Sequence, residues 1–104
     1  MSKPLPEAPR PYLQFVERFP KLGEAWDAIH DAGAAGPLDE RMQRLIKLAV
    51  AVGAQRSGAV HASVRKARAM GIPDEELEQV VALSASTLGL PSAVAAYTWL
   101  HDKS

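Results

Sequence analysis

Four side chains in one short stretch have the types and spacing to do chemistry: Ser57, His61, Arg65 and Arg68. At 100° per residue of helix they fall within about 80° of one another, as one continuous polar strip. Imidazole, with an ordinary pKa of about 6.5, is suited to accept and return a proton near neutral pH. Arginine grips carboxylates and phosphates through two parallel N–H donors. A histidine followed by arginines one and two turns on therefore suggests acid–base work on a small anionic molecule. Ser57 lies one turn before His61, within reach of a Ser–His dyad. Each residue also has a plainer reading. His61 suits a packed, hydrogen-bonded position at the edge of a core, and Ser57 suits a helix N-cap. The arginines suit a solvated face near a helix C-terminus, where cations are favoured. Arg56 and Lys47 are further cations that could reach the same molecule. Lys47 sits in an apolar run, so it can equally snorkel to water or pair with a carboxylate.

The strip needs a helix to carry it and neighbours to enclose it. The stretch from Leu38 to Met70 reads as two helices joined by a short turn, with Asp39 as a capping carboxylate for the first. That first helix, LIKLAVAVGA from Leu45, leaves only a narrow strip through Gln43, Arg44, Lys47 and Ala51 to face water. The second starts near Ser57, places Val60, Val64 and Ala67 on its core side and stops at Gly71. Pro73 then opens another helix, with Asp74, Glu75 and Glu76 in its first turn, where carboxylates favour the macrodipole. Ile72 falls at the N-cap in this reading and offers no acceptor, so Ile72→Thr is expected to stabilise the protein. Its core stripe is Leu77, Val80, Val81, Ser84 and Leu88, and Gly89 ends it. Pro91 opens a last helix that is apolar on most sides through Val94, Tyr97, Trp99 and Leu100.

Upstream, Tyr12, Phe15, Val16 and Phe19 repeat at helical spacing before Pro20. Leu22, Trp26 and Ile29 continue the period until Gly33 and Gly36–Pro37. Residues 1–11 carry Pro4, Pro6, Pro9 and Pro11 and read as an extended arm, either a free tail or a strap across a neighbouring subunit. No pattern of period two appears, so the fold expected is all-α: a single-domain bundle of five to six helices over residues 12–104. Two helices apolar nearly all round are hard to cover in 104 residues. The surplus predicts a homo-oligomer, with Trp99 and Leu100 at its interface.

Composition excludes several classes. There is no cysteine, hence no thiolate nucleophile, disulfide or thiolate metal site. The three scattered histidines lack metal-ligand spacing, so no metal is expected. The formal net charge is zero, without the basic footprint of a nucleic-acid or anionic-membrane ligand. The longest apolar run, Leu48 to Gly53, is far short of the ~20 residues that span a bilayer, and the first ten residues hold no apolar signal core. A cytoplasmic location is the expectation.

The run LDERMQRLIKLAVAVGAQRSGAVHASVRKARAMGIPDEELEQVV resembles the carboxymuconolactone decarboxylase family, which includes the alkyl hydroperoxidase AhpD-like proteins. The likeness covers roughly residues 38 to 100. It rests on the apolar helix LIKLAVAV, the helix that carries His61 and ends at Gly71, and the Pro-Asp-Glu-Glu start that follows. The resemblance implies about six helices assembled as trimers or hexamers. It also implies, for redox members, Cys-x-x-Cys-x-x-x-His with an upstream glutamate. Here His61 matches the histidine, while Ala54 and Ser57 stand at the cysteines and Arg44 at the glutamate. A cysteine-less member should lack the family's peroxidase chemistry. Other members act as decarboxylases on a small lactone bearing carboxylates, without metal or organic cofactor. His61 as acid–base, with Arg65, Arg68, Arg56 and Lys47 as anchors, would suit that chemistry by type. The alternative is a binding or structural oligomer that has lost its chemistry.

Overall fold

In a computed structural model, residues 8–102 are described, and they form six helices with no strand among them. The helices are α1 (Arg10–Arg18), α2 (Pro20–Ala34), α3 (Glu40–Gly53), α4 (Ser57–Ala69), α5 (Asp74–Leu88) and α6 (Leu90–His101). The all-α expectation holds. Within the stretch expected as one helical domain lie two compact units, which divide between Leu38 and Asp39.

In the first unit α1 packs against α2. The expected arm ends earlier than residue 11, because α1 begins at Arg10 and takes Pro11 into its first turn. Proline is accepted there, since its missing N–H would have no intrahelical partner anyway. The remainder of the arm, residues 1–7, lies outside the described residues. Pro20 opens α2 in the same way. The close approach of the two helices depends on Gly23: a Cβ built there would lie 3.2 Å from that of Val16.

In the second unit α3 packs on α4 and α5, and α6 on α4 and α5, closing a ring of four helices. Its core is Leu48, Val52, Val60, Val64, Ala67, Ile72, Leu77, Val81, Ala96 and Leu100, with Trp99 and Val80 packed against it. Asp39 caps α3 as expected, accepting from Met42 N–H at 2.8 Å. The water-facing strip expected on α3 is misplaced. Ala51 is buried and Arg44 and Lys47 are half-buried, whereas Met42, Ile46, Ala49 and Val50 are exposed. The pairing with α4 draws the Leu48–Ala51–Val52 side inward and leaves an apolar stripe outside.

Both ends of the α3–α4 and α4–α5 connections close by the same device. After α3, Gln55 N–H donates to Val52 O and Arg56 N–H to Ala51 O, with Gln55 in the left-handed region at φ 55°. After α4, Gly71 N–H donates to Arg68 O and Ile72 N–H to Ala67 O, with Gly71 at φ 82°. Both are Schellman caps, and in the second an apolar residue two past the cap packs back on the helix. Ile72 occupies that place and is 4% exposed. It is therefore not the N-cap of α5, which is Pro73. The stabilisation expected from Ile72→Thr is overturned, because the side chain serves the end of the preceding helix instead.

Candidate functional site

The Schellman turns fix where α4 starts and stops, and burial of Val60, Val64 and Ala67 fixes its rotation. Together they turn His61, Val64, Arg65 and Arg68 toward the last turn of α6. The two elements enclose a cleft of about 410 Å³, walled on the far side by Trp99, Leu100, His101 and Asp102. The His61 Nε2 lies 3.3 Å from Asp102 Oδ2, with the histidine side chain 23% exposed. A carboxylate thus faces the imidazole, a partner that sequence reasoning missed because it stands 41 residues away. One signal was present: Asp102 follows the end of α6, where a negative charge opposes the macrodipole unless a cation answers it.

The strip that looks uniform in sequence divides in space. Arg65 lines the cleft, and its Nε is buried with no hydrogen-bond partner. Arg68 also lines it, but its guanidinium is already engaged. Its Nε donates to Asp74 Oδ1 at 3.0 Å, and its Nη2 to Asp74 Oδ2 and to the Leu100 carbonyl, both at 3.2 Å. The last of these satisfies a carbonyl that the end of α6 would leave unpaired. The Arg68–Asp74 contact, through its hydrogen bond first, holds the Asp74 carboxyl below the usual value of 3.8. Arg68 is a strut joining α4, α5 and α6 as much as a wall.

Ser57 stands at the first helical position of α4, exposed and outside the cleft walls. The residue at the N-cap is Arg56, which makes no side-chain cap, so the capping reading of Ser57 is not met either. The partner that the structure gives the ring, at Nε2, is Asp102. Arg56 is exposed at the turn, and Lys47 lies on α3 beside Arg44, neither of them in the cleft walls. On the rim, His101 Nε2 lies 2.9 Å from Glu78 Oε2, which fastens the end of α6 to α5.

The sequence pattern of the carboxymuconolactone decarboxylase family matches residues 20–102, from the first residue of α2 to Asp102. The chain belongs to the carboxymuconolactone decarboxylase family. It has no significant match to a curated protein or to a solved structure. In this cysteine-less member of the carboxymuconolactone decarboxylase family, the positions where the resemblance sets two cysteines are taken by Ala54, at the end of α3, and Ser57, at the start of α4. Where it sets a glutamate stands Arg44, a half-buried cation. None of the three lines the cleft around His61. Among the described residues no group of three or more His, Asp or Glu side chains is placed to hold a metal ion, and no helix is long and apolar enough to cross a membrane.

Proposed function

We propose that the cleft between α4 and the end of α6 takes a small carboxylate-bearing molecule, and that His61 exchanges a proton with it in a cofactor-free, decarboxylase-type reaction. The observation that carries this reading is the His61–Asp102 pair inside a cleft that Arg65 also lines. Asp102 orients the ring through Nε2, leaving Nδ1 as the nitrogen that meets the substrate. Arg65 supplies the positive charge that holds a carboxylate. In the reaction, the bond between carbon and the departing carboxylate breaks and carbon dioxide leaves. The electron pair stays on carbon and takes the proton from the imidazolium, which is then restored from solvent. Ser57, Arg56 and Lys47 have no part in this scheme, and Arg68 acts by holding the cleft open.

Titration of the His61 ring by NMR, with and without a panel of dicarboxylates, tests the proposal. Saturable shifts at millimolar ligand are expected, with binding that follows imidazole charge across pH 5–8 and weakens as salt rises. His61→Gln should abolish that pH dependence while leaving the fold intact. A ring that neither titrates in that range nor responds to any member of the panel would overturn the proposal.

A second reading, an oligomeric binding or structural protein, draws on a different observation. Ile46, Val50, Leu83, Leu90, Val94 and Tyr97 are exposed, with Leu83 and Leu90 each at 69%. Apolar surface on this scale supports self-association of a cytoplasmic protein, with the trimer or hexamer of the family as the expected form. Of the two residues expected at the interface, Leu100 is fully buried within the chain, while Trp99 is half-buried in the cleft wall. Self-association is compatible with either reading, and the histidine titration separates the catalytic one from the oligomer that has lost its chemistry.

A further inference from the structure

A second concentration of positive charge lies on the α3–α4 pair. Arg44 and Lys47 stand one turn apart on α3, and Arg65 and Lys66 are consecutive on α4. Burial, then the charges of Arg44, Lys47 and Arg65, hold the Lys66 ammonium below its usual pKa. Burial, then Arg44, does the same to Lys47, and burial alone to Arg44. The Nε atoms of Arg44 and Arg65 are both buried with no hydrogen-bond partner. Nearby arginines are treated differently: Arg41 pairs with Glu76, and Arg68 uses Nε and Nη2 on Asp74.

Drawing the charges of Arg44, Arg65 and Lys66 into a half-buried group costs free energy that a solvated basic face would not. Leaving two guanidinium donors unpaired adds to that cost. A ligand of opposite charge offsets both. The geometry points to an anion site on the α3–α4 seam, built from Arg44, Lys47, Arg65 and Lys66, for a phosphate-class dianion, either free phosphate or a phosphomonoester. A lone carboxylate is satisfied by one arginine fork, as Asp74 is by Arg68. A phosphoryl group brings three acceptor oxygens and up to two charges, enough to engage two guanidiniums and the flanking ammoniums. Arg65 is shared with the wall of the His61 cleft, but the site does not rest on any reaction there, because Arg44 and Lys66 stand outside that cleft.

The test titrates inorganic phosphate, glycerol phosphate and succinate into the full chain at constant ionic strength, following backbone amide shifts. Saturable shifts centred on residues 44, 47, 65 and 66 are expected with both phosphates, with succinate at least tenfold weaker. Arg44→Gln should weaken phosphate at least tenfold, and His61→Gln should leave it unchanged. Lys66→Gln removes a repelled charge, so it should fold and melt higher than wild type without phosphate while gaining less when phosphate is added. Tighter binding of glycerol phosphate would mark an esterified ligand, and tighter binding of inorganic phosphate the free ion. Shifts that grow linearly as they do with chloride, succinate shifts at residues 44, 47 and 66 (rather than at the His61 cleft) that saturate as tightly as phosphate, loss of phosphate binding in His61→Gln, or phosphate affinity retained in both Arg44→Gln and Lys66→Gln would each overturn the assignment.

Discussion

Ile72→Thr should destabilise the protein, and the size of the loss follows from where Ile72 sits. The side chain is 4% exposed in the main core, and its N–H closes the α4 cap on Ala67 O at 3.0 Å. Threonine removes two carbons, worth about 0.8 kcal/mol each when buried. It also brings a hydroxyl into the core, at about 1–3 kcal/mol if it finds no partner. The expected loss is therefore ~2.5–4.5 kcal/mol. For a chain of this size each kcal/mol lowers Tm by roughly 4–8 °C, so a fall of at least about 10 °C is expected. Ile72→Val keeps the shape and should lose only about 0.5–1.5 kcal/mol. Thermal melts by circular dichroism and urea midpoints at unchanged m-value would measure both. A threonine variant that melts at or above wild type would show that a cap at this position outweighs the packing, and would refute the Schellman assignment.

Asp74→Asn should lower Tm near neutral pH but not in strong acid: a carboxyl whose folded pKa is depressed stabilises above its ordinary value near 3.8 and loses that as pH falls through the folded one. The gap between variant and wild-type melts should close as pH falls through the depressed folded pKa, and a constant gap would show that the carboxylate charge is not what stabilises. Arg68→Ala should reduce amide protection at residues 100–102 and lower Tm, whereas Arg65→Ala should weaken dicarboxylate binding with little change in melting; the reverse pattern would exchange strut and anchor. Val94→Asp, on the exposed stripe with Leu90 and Tyr97, should move the mass seen by light scattering toward monomer, and native mass in that variant would place self-association elsewhere. Metal-free protein should show no peroxide turnover with a dithiol reductant, because a chain without cysteine has no peroxidatic thiolate, and turnover above buffer would contradict this.

Helix count and core stripes were legible because period and punctuation agree along most of this chain. Asp39, Pro20, Gly71 and Gly89 mark ends that the structure keeps, and Val60, Val64, Ala67, Leu77 and Val81 are buried as their spacing requires. Local pattern failed where two elements compete for one residue. Ile72 reads as the residue before Pro73, yet the preceding helix claims it for its cap. It also failed where a helix has two plausible inward faces. On α3 the Leu48–Ala51–Val52 side and the Ile46–Ala49–Val50 side are comparably apolar, and only the packing of α4 and α5 chooses between them. The site was half legible. The face carrying His61 and Arg65 follows from helical spacing, but Asp102 enters through tertiary structure and has no local signature except its awkward place beyond a helix end.

The end of α6 links the cleft to the stability of the fold. Asp102 can orient His61 only while the last turn of α6 stays formed, and helix ends are where local opening begins. Three side-chain contacts from other helices hold that turn: Arg68 on the Leu100 carbonyl, Glu78 on His101, and His61 on Asp102 itself. The contact proposed to prepare the imidazole is thus also one of the contacts that keep its partner in place. Arg68 gives up its value as a free anchor to serve this arrangement, which leaves Arg65 as the cation on the strip with an uncommitted Nε. The polar face of α4 is therefore divided by neighbours rather than by sequence. Asp102 pairs with His61, Asp74 and the Leu100 carbonyl engage Arg68, and the unpaired Nε of Arg65 is what the proposed scheme gives to an anion.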